Sequence, residues 1–250
     1  MKALSQAYER IHAHPTLGPA LDALPAPVRL HDGRQVLGWF GLWRMARMWR
    51  NMPVLREEAA IAYDAYEGGD VIDVGAFEGW YSILLAPKAR PGDRFLSVEA
   101  NPKAFPELLR TLARLARLFP EQAFVPIAAP AGDGRPVVMT EPPGGHPRFA
   151  VAPDGDGPPT ASVDELVATL GLKPAFVKVD VEGAEPFVLE GLQRTLAEHG
   201  PTVVLELHQQ WLPEGMSPAD VEDLIARHGY DKRVLDANEI NQHQLWVKRP

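Results

Sequence analysis

The chain has 250 residues, of which 46% are hydrophobic, and this favours one sizeable α/β core with a small appendage over two full domains. Its formal net charge of -8 argues against a protein that wraps nucleic acid, because neutralising phosphates requires a concentrated Lys and Arg surface. The absence of cysteine excludes disulfides, thiolate metal sites and a cysteine nucleophile.

The N-terminus does not have the pattern of a targeting segment. Residues 1–15 contain Glu9, Arg10 and two histidines where a signal peptide needs an apolar core. No run reaches the roughly 18 apolar residues of a membrane span. We therefore expect a soluble cytoplasmic protein without a membrane span whose partner is a small molecule and not a nucleic acid. Self-association as a homo-oligomer stays open.

Residues 1–64 form a predicted N-terminal extension with a pattern of its own. The stretch from Val28 to Val36 resembles a small hairpin. Residues 37–50 carry aromatic and Met side chains at helical spacing with arginines between them, which predicts a Trp-rich helix. Packing onto the core is the favoured role for this helix. A substrate lid, in which Trp39, Trp43 and Trp49 stack on a sugar or aromatic ring, and a membrane-surface helix are the alternatives.

Residues 65–250 alternate strands and helices, the pattern of a doubly wound, mostly parallel α/β sheet with helices on both faces. Seven strands are predicted, of which the last inserts antiparallel: 70–74, 94–99, 123–127, 175–180, 202–207, 230–235 and 243–248. Helices are predicted at 79–87, 103–118, after a capping box at Ser162–Glu165, at 184–199 and from Ser217 to Gly229. The Pro- and Gly-rich stretch 128–161, with a hairpin around 136–151, is expected to cover a site.

A glycine turn follows the first of these strands. Gly75 and Gly79 let the backbone approach a ligand that any Cβ would push away, and Asp73 at the strand's carboxyl end can accept hydrogen bonds from it. The next strand ends at Glu99, whose carboxylate can accept both hydroxyls of a ribose. Together these features predict a nucleotide-cofactor site rather than a turn that serves only tight packing.

The turn lacks the middle glycine of the dinucleotide-binding pattern Gly-x-Gly-x-x-Gly. The bulk of Phe77 and the charge of Glu78 are also poor neighbours for a diphosphate. S-adenosylmethionine has a cationic sulfonium and no phosphate, so it suits an acidic loop better. This disfavours a nicotinamide-dependent oxidoreductase, which remains the third choice.

A second group of acids follows the strand at 175–180, which is expected to lie beside the first strand. Asp180 and Glu182 are predicted to share one side, as are Glu206 and His208 on the next strand. His208 is the best candidate for a general base because an imidazole titrates near neutrality, and Glu206 or Glu182 could orient it. No metal is our first expectation. A divalent ion bound by these four residues is the alternative.

Five segments, in this order and spacing, resemble the FkbM-type family of S-adenosylmethionine-dependent methyltransferases: DVIDVGAFEGWYS, SVEANP, SVDELV, FVKVDVEGAEPFVLEGL and VVLELH. The resemblance covers roughly residues 65–210. It implies the Rossmann-like class I methyltransferase fold. It also implies O-methylation of a hydroxyl on a sugar, polyketide or other natural product.

The resemblance also implies roles for individual residues. Asp180 would lie near the methionine moiety and the reacting methyl group, and Asp180, Glu182 and His208 are the expected catalytic residues. The implied cofactor-binding residues are Asp73, Gly75, Ala76, Phe77, Gly79, Ser82, Glu99, Ala100, Asn101, Ala129 and Asp180. The family commonly has Asn at the position of Phe77. A binding or regulatory module of the same fold without turnover is therefore the second reading.

Overall fold

The computed structural model describes residues 16, 20, 25–30, 34–41, 55–140, 148–152 and 155–250. The chain divides into two compact units, Met1–Ile61 and Ala62–Pro250.

An antiparallel hairpin is the main described feature of the first unit. Strand β1 (Pro25–Arg29) pairs with β2 (Gln35–Gly41), which confirms the predicted hairpin. The helix predicted over 37–50 is wrong for residues 37–41, because their backbone pairs with β1. Aromatic and branched residues favour strands, and Gly38 and Gly41 disfavour a helix. Trp39 therefore lies in a strand, while Trp43 and Trp49 lie outside the described residues.

A seven-stranded sheet forms the centre of the second unit, in the order β12-β13-β11-β10-β3-β4-β5. Its strands are β3 (Asp70–Val74), β4 (Arg94–Val98), β5 (Ala123–Ile127), β10 (Pro174–Val179), β11 (Thr202–Leu207), β12 (Tyr230–Ala237) and β13 (Gln242–Lys248). Short pairs lie outside this sheet: β6 (Ala131–Gly132) with β9 (Ala161–Ser162), and β7 (Val137–Thr140) with β8 (Arg148–Val151). The helices are α1 (Leu55–Ala65), α2 (Trp80–Leu85), α3 (Phe105–Leu118), α4 (Val163–Leu170), α5 (Glu185–Glu190), α6 (Gln193–Glu198) and α7 (Pro218–Ala226).

The sheet is parallel except for β13, which inserts antiparallel between β11 and β12. The central strands are mainly apolar and are buried along most of their length, and Ile72, Val177 and Leu205 are fully buried. Continuous burial of this kind is typical of parallel strands covered on both faces. The expected seven-stranded, mostly parallel α/β sheet and its antiparallel last strand are confirmed, as is the hairpin predicted around 136–151.

Asp70 joins three strands at the amino end of the sheet. Its Oδ2 accepts a hydrogen bond from Arg94 Nη2 at 2.6 Å, and the same oxygen accepts one from the Lys173 backbone N–H at 2.7 Å. Arg94 also donates to the carbonyl oxygens of Leu170 and Gly171. This clasp lies at the edge opposite the glycine turn, so it supports the fold while the carboxyl edge stays available for a ligand.

The helix predicted over 184–199 is two helices, α5 and α6, separated at Gly191. A Cβ at Gly191 would overlap the carbonyl oxygen of Gly132, so close packing of two backbones fixes the break. The expected capping box at Ser162 is also absent, because the Ser162 hydroxyl donates to the Gly191 carbonyl oxygen. Asp164 instead accepts from the N–H groups of Arg194 and Thr195 at the start of α6. In the part of the chain that the structure describes, no helix combines the length and apolarity needed to cross a bilayer.

Candidate active site

The glycine turn after β3 is held between two neighbouring strands. Gly75 has φ +75° and, with Ala76, donates its N–H to the Val98 carbonyl oxygen at 2.9 and 3.1 Å. A Cβ on Gly75 would overlap the carbonyl oxygen of Asp180, which follows β10. Position 75 therefore requires glycine for two reasons: its φ is positive, and the Asp180 backbone approaches it closely.

Glu99 fastens the turn from the side of β4. One carboxylate oxygen accepts the N–H of Phe77 and the other that of Asn101, both at 2.6 Å. Burial raises the pKa of Glu99, and these two hydrogen bonds partly offset the increase. Each carboxylate oxygen has a second lone pair, so Glu99 can still accept two ligand hydroxyls. Its bond to Phe77 also holds that residue at φ +48°, a region in which Asn is enriched among non-glycine residues.

Asp73 lies beneath the turn and is 1% exposed. Within the part of the chain that the structure describes, neither of its carboxylate oxygens has a hydrogen-bond partner. Burial raises its pKa to about 6, although the nearby charge of Lys178 opposes the increase. A buried carboxylate of this kind is costly unless a donor or cation reaches it, so it fits a ligand's ammonium or hydroxyl group.

Asp73→Asn is expected to raise thermal stability and to weaken cofactor binding. The pKa of Asp73 in the folded protein is about 6, above the ordinary value of 3.8. The ionised carboxylate therefore destabilises the fold above about pH 6, and this destabilisation disappears below about pH 4. The gain in melting temperature should therefore be large at about pH 8 and fade by about pH 4. Melting curves across this range test it, with Asp231→Asn, a largely exposed carboxylate, as the control. A gain independent of pH would contradict this account of Asp73.

Lys178 connects the glycine turn to the acids after β10. Its Nζ donates to Asp180 Oδ2 at 2.8 Å and to the Gly75 carbonyl oxygen at 3.4 Å. Burial alone would lower the pKa of Lys178, but Asp180 and Asp73 beside it raise the pKa overall. A charged lysine thus ties one Asp180 oxygen down and leaves the other available.

His208 follows β11 and is buried among carboxylates. Its Nδ1 lies 2.8 Å from Glu185 Oε1, and the Glu185 side chain is fully buried. Its Nε2 lies 3.4 Å from Glu206 Oε1 and 3.5 Å from Glu182 Oε2. The ring stacks on Trp211, with centroids 4.9 Å apart and planes 8° from parallel. The direction of Nε2 is therefore fixed from two sides.

The electrostatics of this group differ from the sequence-based expectation. Burial alone would lower the pKa of His208, but hydrogen bonds with Glu185 and Glu206 and the surrounding acids raise it to about 11. The imidazole therefore carries its proton at neutral pH instead of titrating there. Burial would raise the pKa of Glu206, but His208 and His243 lower it overall.

The structure brings Asp180, Glu182 and His208 together: one ligand atom from each lies within 4.8 Å of the other two. Glu182 has φ +55°, so the strand alternation used to align it with Asp180 does not continue this far. The orienting group on Nδ1 is Glu185, which sequence reasoning did not assign. The sequence feature that could have indicated this role is an acidic residue at an otherwise apolar helix start.

The structure also describes the remaining residues that were predicted to bind the cofactor. Gly79 packs against α3, and its N–H donates to the Ala76 carbonyl oxygen at 2.7 Å. Ser82 is fully buried, with its hydroxyl 3.2 Å from that of Ser97, so it links α2 to β4. Ala100 and Ala129, which follow β4 and β5, are partly buried. Lys178, His243 and Trp211 were missed, although a lysine within an apolar strand was a visible signal.

The sequence matches the family profile of the methyltransferase FkbM domain over residues 73–232. The chain belongs to the FkbM methyltransferase family. No curated protein matches it. S-adenosylmethionine is its cofactor. The buried Asp73 carboxylate, which has no hydrogen-bond partner among the described residues, and the buried Glu99 carboxylate fit that molecule.

Solved structures share the fold of this FkbM-family chain. Methyltransferase FkbM from Methylobacillus flagellatus KT is 16% identical, with a TM-score of 0.54, over 72% of this chain and 44% of that one. The chain thus spans less than half of that protein. The fibrillarin pre-rRNA processing protein of Methanococcus jannaschii is 13% identical, with a TM-score of 0.50, over 90% of this chain and 83% of that one. Fibrillarin from Aeropyrum pernix, with natively bound S-adenosyl-L-methionine, is 13% identical with a TM-score of 0.49 over the same shares, 90% and 83%.

Proposed function

We propose that this protein is an S-adenosylmethionine-dependent O-methyltransferase whose acceptor is a hydroxyl on a sugar, a polyketide or another small natural product. One observation carries the proposal. The buried carboxylates that suit the cofactor, Asp73 and Glu99, share the carboxyl edge of the sheet with the group formed by Asp180, Glu182 and His208. Ligands of open α/β sheets bind at this edge.

In this proposal, each residue around the cofactor has a defined role. Glu99 accepts the ribose hydroxyls, and Asp73 accepts a donor from the amino-acid portion. Gly75 and Ala76 supply close-approaching backbone, and Phe77, Gly79, Ala100, Asn101 and Ala129 complete the surroundings. When bound, S-adenosylmethionine supplies a methyl group already activated by its sulfonium, so the residues' main task is alignment and exclusion of water.

The acceptor half lies at Asp180, Glu182 and His208. Asp180 is tied by Lys178 next to the Gly75 carbonyl, which puts its carboxylate beside the cofactor turn. Asp180 and Glu182 are each about one quarter exposed, whereas His208 is buried, so an acceptor can reach the carboxylates from solvent. We propose that this group binds the acceptor hydroxyl and promotes loss of its proton.

A transfer assay tests the function. Chain incubated with S-adenosylmethionine labelled on its methyl group should pass the label to members of a panel of glycosides and polyketide alcohols. His208→Ala should lower turnover about 100-fold while cofactor binding is kept. His199→Ala, which changes an exposed histidine, is the matched control. Cofactor binding without transfer to any acceptor would favour the non-catalytic module of the same fold.

A further inference from the structure

We propose that Asp180, Glu182 and His208 bind a divalent metal ion of the Mn²⁺ or Mg²⁺ class, which in turn holds the acceptor's oxygen. The inference rests on the proposed function for the role of the ion, but the ion's binding can be measured without any acceptor.

The spacing of the ligand atoms suits one shared ion. The atoms of Asp180, Glu182 and His208 all lie within 4.8 Å of one another, and two ligands on opposite sides of a Mg²⁺ ion lie about 4.2 Å apart. His208 Nε2 is 3.5 Å from Glu182 Oε2, longer than the roughly 2.7–2.9 Å of a direct charge-assisted hydrogen bond. A small rotation of either carboxylate would close the set around an ion.

The histidine is held as metal-bound histidines are. Its Nδ1 pairs with the buried Glu185 at 2.8 Å, and its ring is stacked on Trp211. A carboxylate hydrogen-bonded to Nδ1 fixes the orientation of the ring and makes Nε2 a stronger metal ligand. Nε2 is thereby aimed toward Glu182 and Glu206. This arrangement sets the group apart from a surface cluster of acids.

The charges around the site favour a cation. Four carboxylates, those of Asp180, Glu182, Glu185 and Glu206, contact Lys178, His208 or His243. Lys178 holds one Asp180 oxygen and leaves the other as a ligand. Glu206 accepts a hydrogen bond from Asn241 and is not part of the set of ligand atoms that lie within 4.8 Å of one another, so Asp180 and Glu182 supply the oxygen ligands. An ion bound here takes the place of the proton on His208 Nε2.

The ion would activate the acceptor as a Lewis acid. The acceptor hydroxyl binds the ion through oxygen and its proton passes to solvent water, because the ion lowers the hydroxyl pKa. The oxygen then forms a bond to the methyl carbon. The carbon–sulfur bond breaks, and its electron pair stays on sulfur. Three protein ligands leave coordination positions open for the acceptor oxygen and water.

The test measures Mn²⁺ binding to the full chain after bound metal has been removed with a chelator. The electron paramagnetic resonance signal of free Mn²⁺ reports the binding, which is measured with and without S-adenosylhomocysteine. We expect one Mn²⁺ per chain, about 100-fold weaker binding in His208→Ala and about 10-fold weaker binding in Glu182→Gln and Glu185→Gln. The exposed residues His199 and Glu198 supply the matched controls, His199→Ala and Glu198→Gln, which should bind as the wild type does.

Glu182→Gln keeps the test falsifiable if His208→Ala fails to fold, because Glu182 is partly exposed. It should keep its melting temperature and its S-adenosylhomocysteine affinity while it binds Mn²⁺ about 10-fold more weakly. Absence of Mn²⁺ binding, or binding equal in all variants, overturns the metal site. If methyl transfer nevertheless survives chelation, the proposed function stands and the metal inference alone fails.

Discussion

Gly75→Ala is expected to lower the melting temperature by about 10 °C and to abolish S-adenosylmethionine binding. Alanine would have to adopt φ +75°, and its Cβ would overlap the Asp180 carbonyl oxygen. The loss of unfolding free energy should be on the order of 4 kcal/mol, because strained backbone and backbone overlap act together. Thermal melts and calorimetric titration measure the two effects.

Gly92→Ala separates the overlap from the strain. Gly92 has φ +89°, but a Cβ there would meet nothing within 4 Å among the described residues. This variant should lose only about 1 kcal/mol and bind the cofactor normally. Equal losses in the two variants would mean that the Gly75–Asp180 approach is not what makes glycine necessary in the turn.

Glu99→Ala is expected to weaken S-adenosylmethionine binding at least about 100-fold, since two hydrogen bonds to a charged group contribute about 1.5–3 kcal/mol each. The same change removes the acceptors for the N–H groups of Phe77 and Asn101, so the turn also loosens. Isothermal titration with S-adenosylmethionine and S-adenosylhomocysteine measures the loss.

Glu99→Gln and Glu198→Ala are the comparison variants for Glu99→Ala. The amide keeps one acceptor oxygen, so Glu99→Gln should weaken binding by about 10-fold, between wild type and Glu99→Ala. Glu198 is exposed at the end of α6, and its removal should change nothing. Wild-type affinity in Glu99→Ala would remove Glu99 from the cofactor site.

The strands and the cofactor turn could be predicted because their signals are local. A buried parallel strand is a short, mainly apolar run, as at 70–74, and the tight turn after it needs glycine for its positive φ. The approach of Asp180 to Gly75 is a contact between distant parts of the chain and was not predicted. The place of Glu99 at the carboxyl end of its strand could be predicted for the same reason, since it immediately follows a mainly apolar run.

Glu206 and Glu182 were predicted beside His208 and lie 3.4 and 3.5 Å from its Nε2. Its Nδ1 partner Glu185 could not be predicted, because that pairing depends on a contact between elements. Glu185 lies 23 residues away along the chain, and its pairing with His208 arises only when α5 packs beside the end of β11. Strand parity could not place Glu182, because the strand ends at Val179 and the backbone then takes a positive φ. The break at Gly191 likewise depends on Gly132, far away in the sequence.

The most direct test of the account is calorimetric titration of the wild-type chain with S-adenosylmethionine, with nicotinamide dinucleotide as the comparison ligand. We predict one S-adenosylmethionine site per chain, with affinity lost in Glu99→Ala and kept in Glu198→Ala, and no binding of the dinucleotide. Failure of the wild-type chain to bind S-adenosylmethionine, or tighter binding of the dinucleotide, would contradict the account.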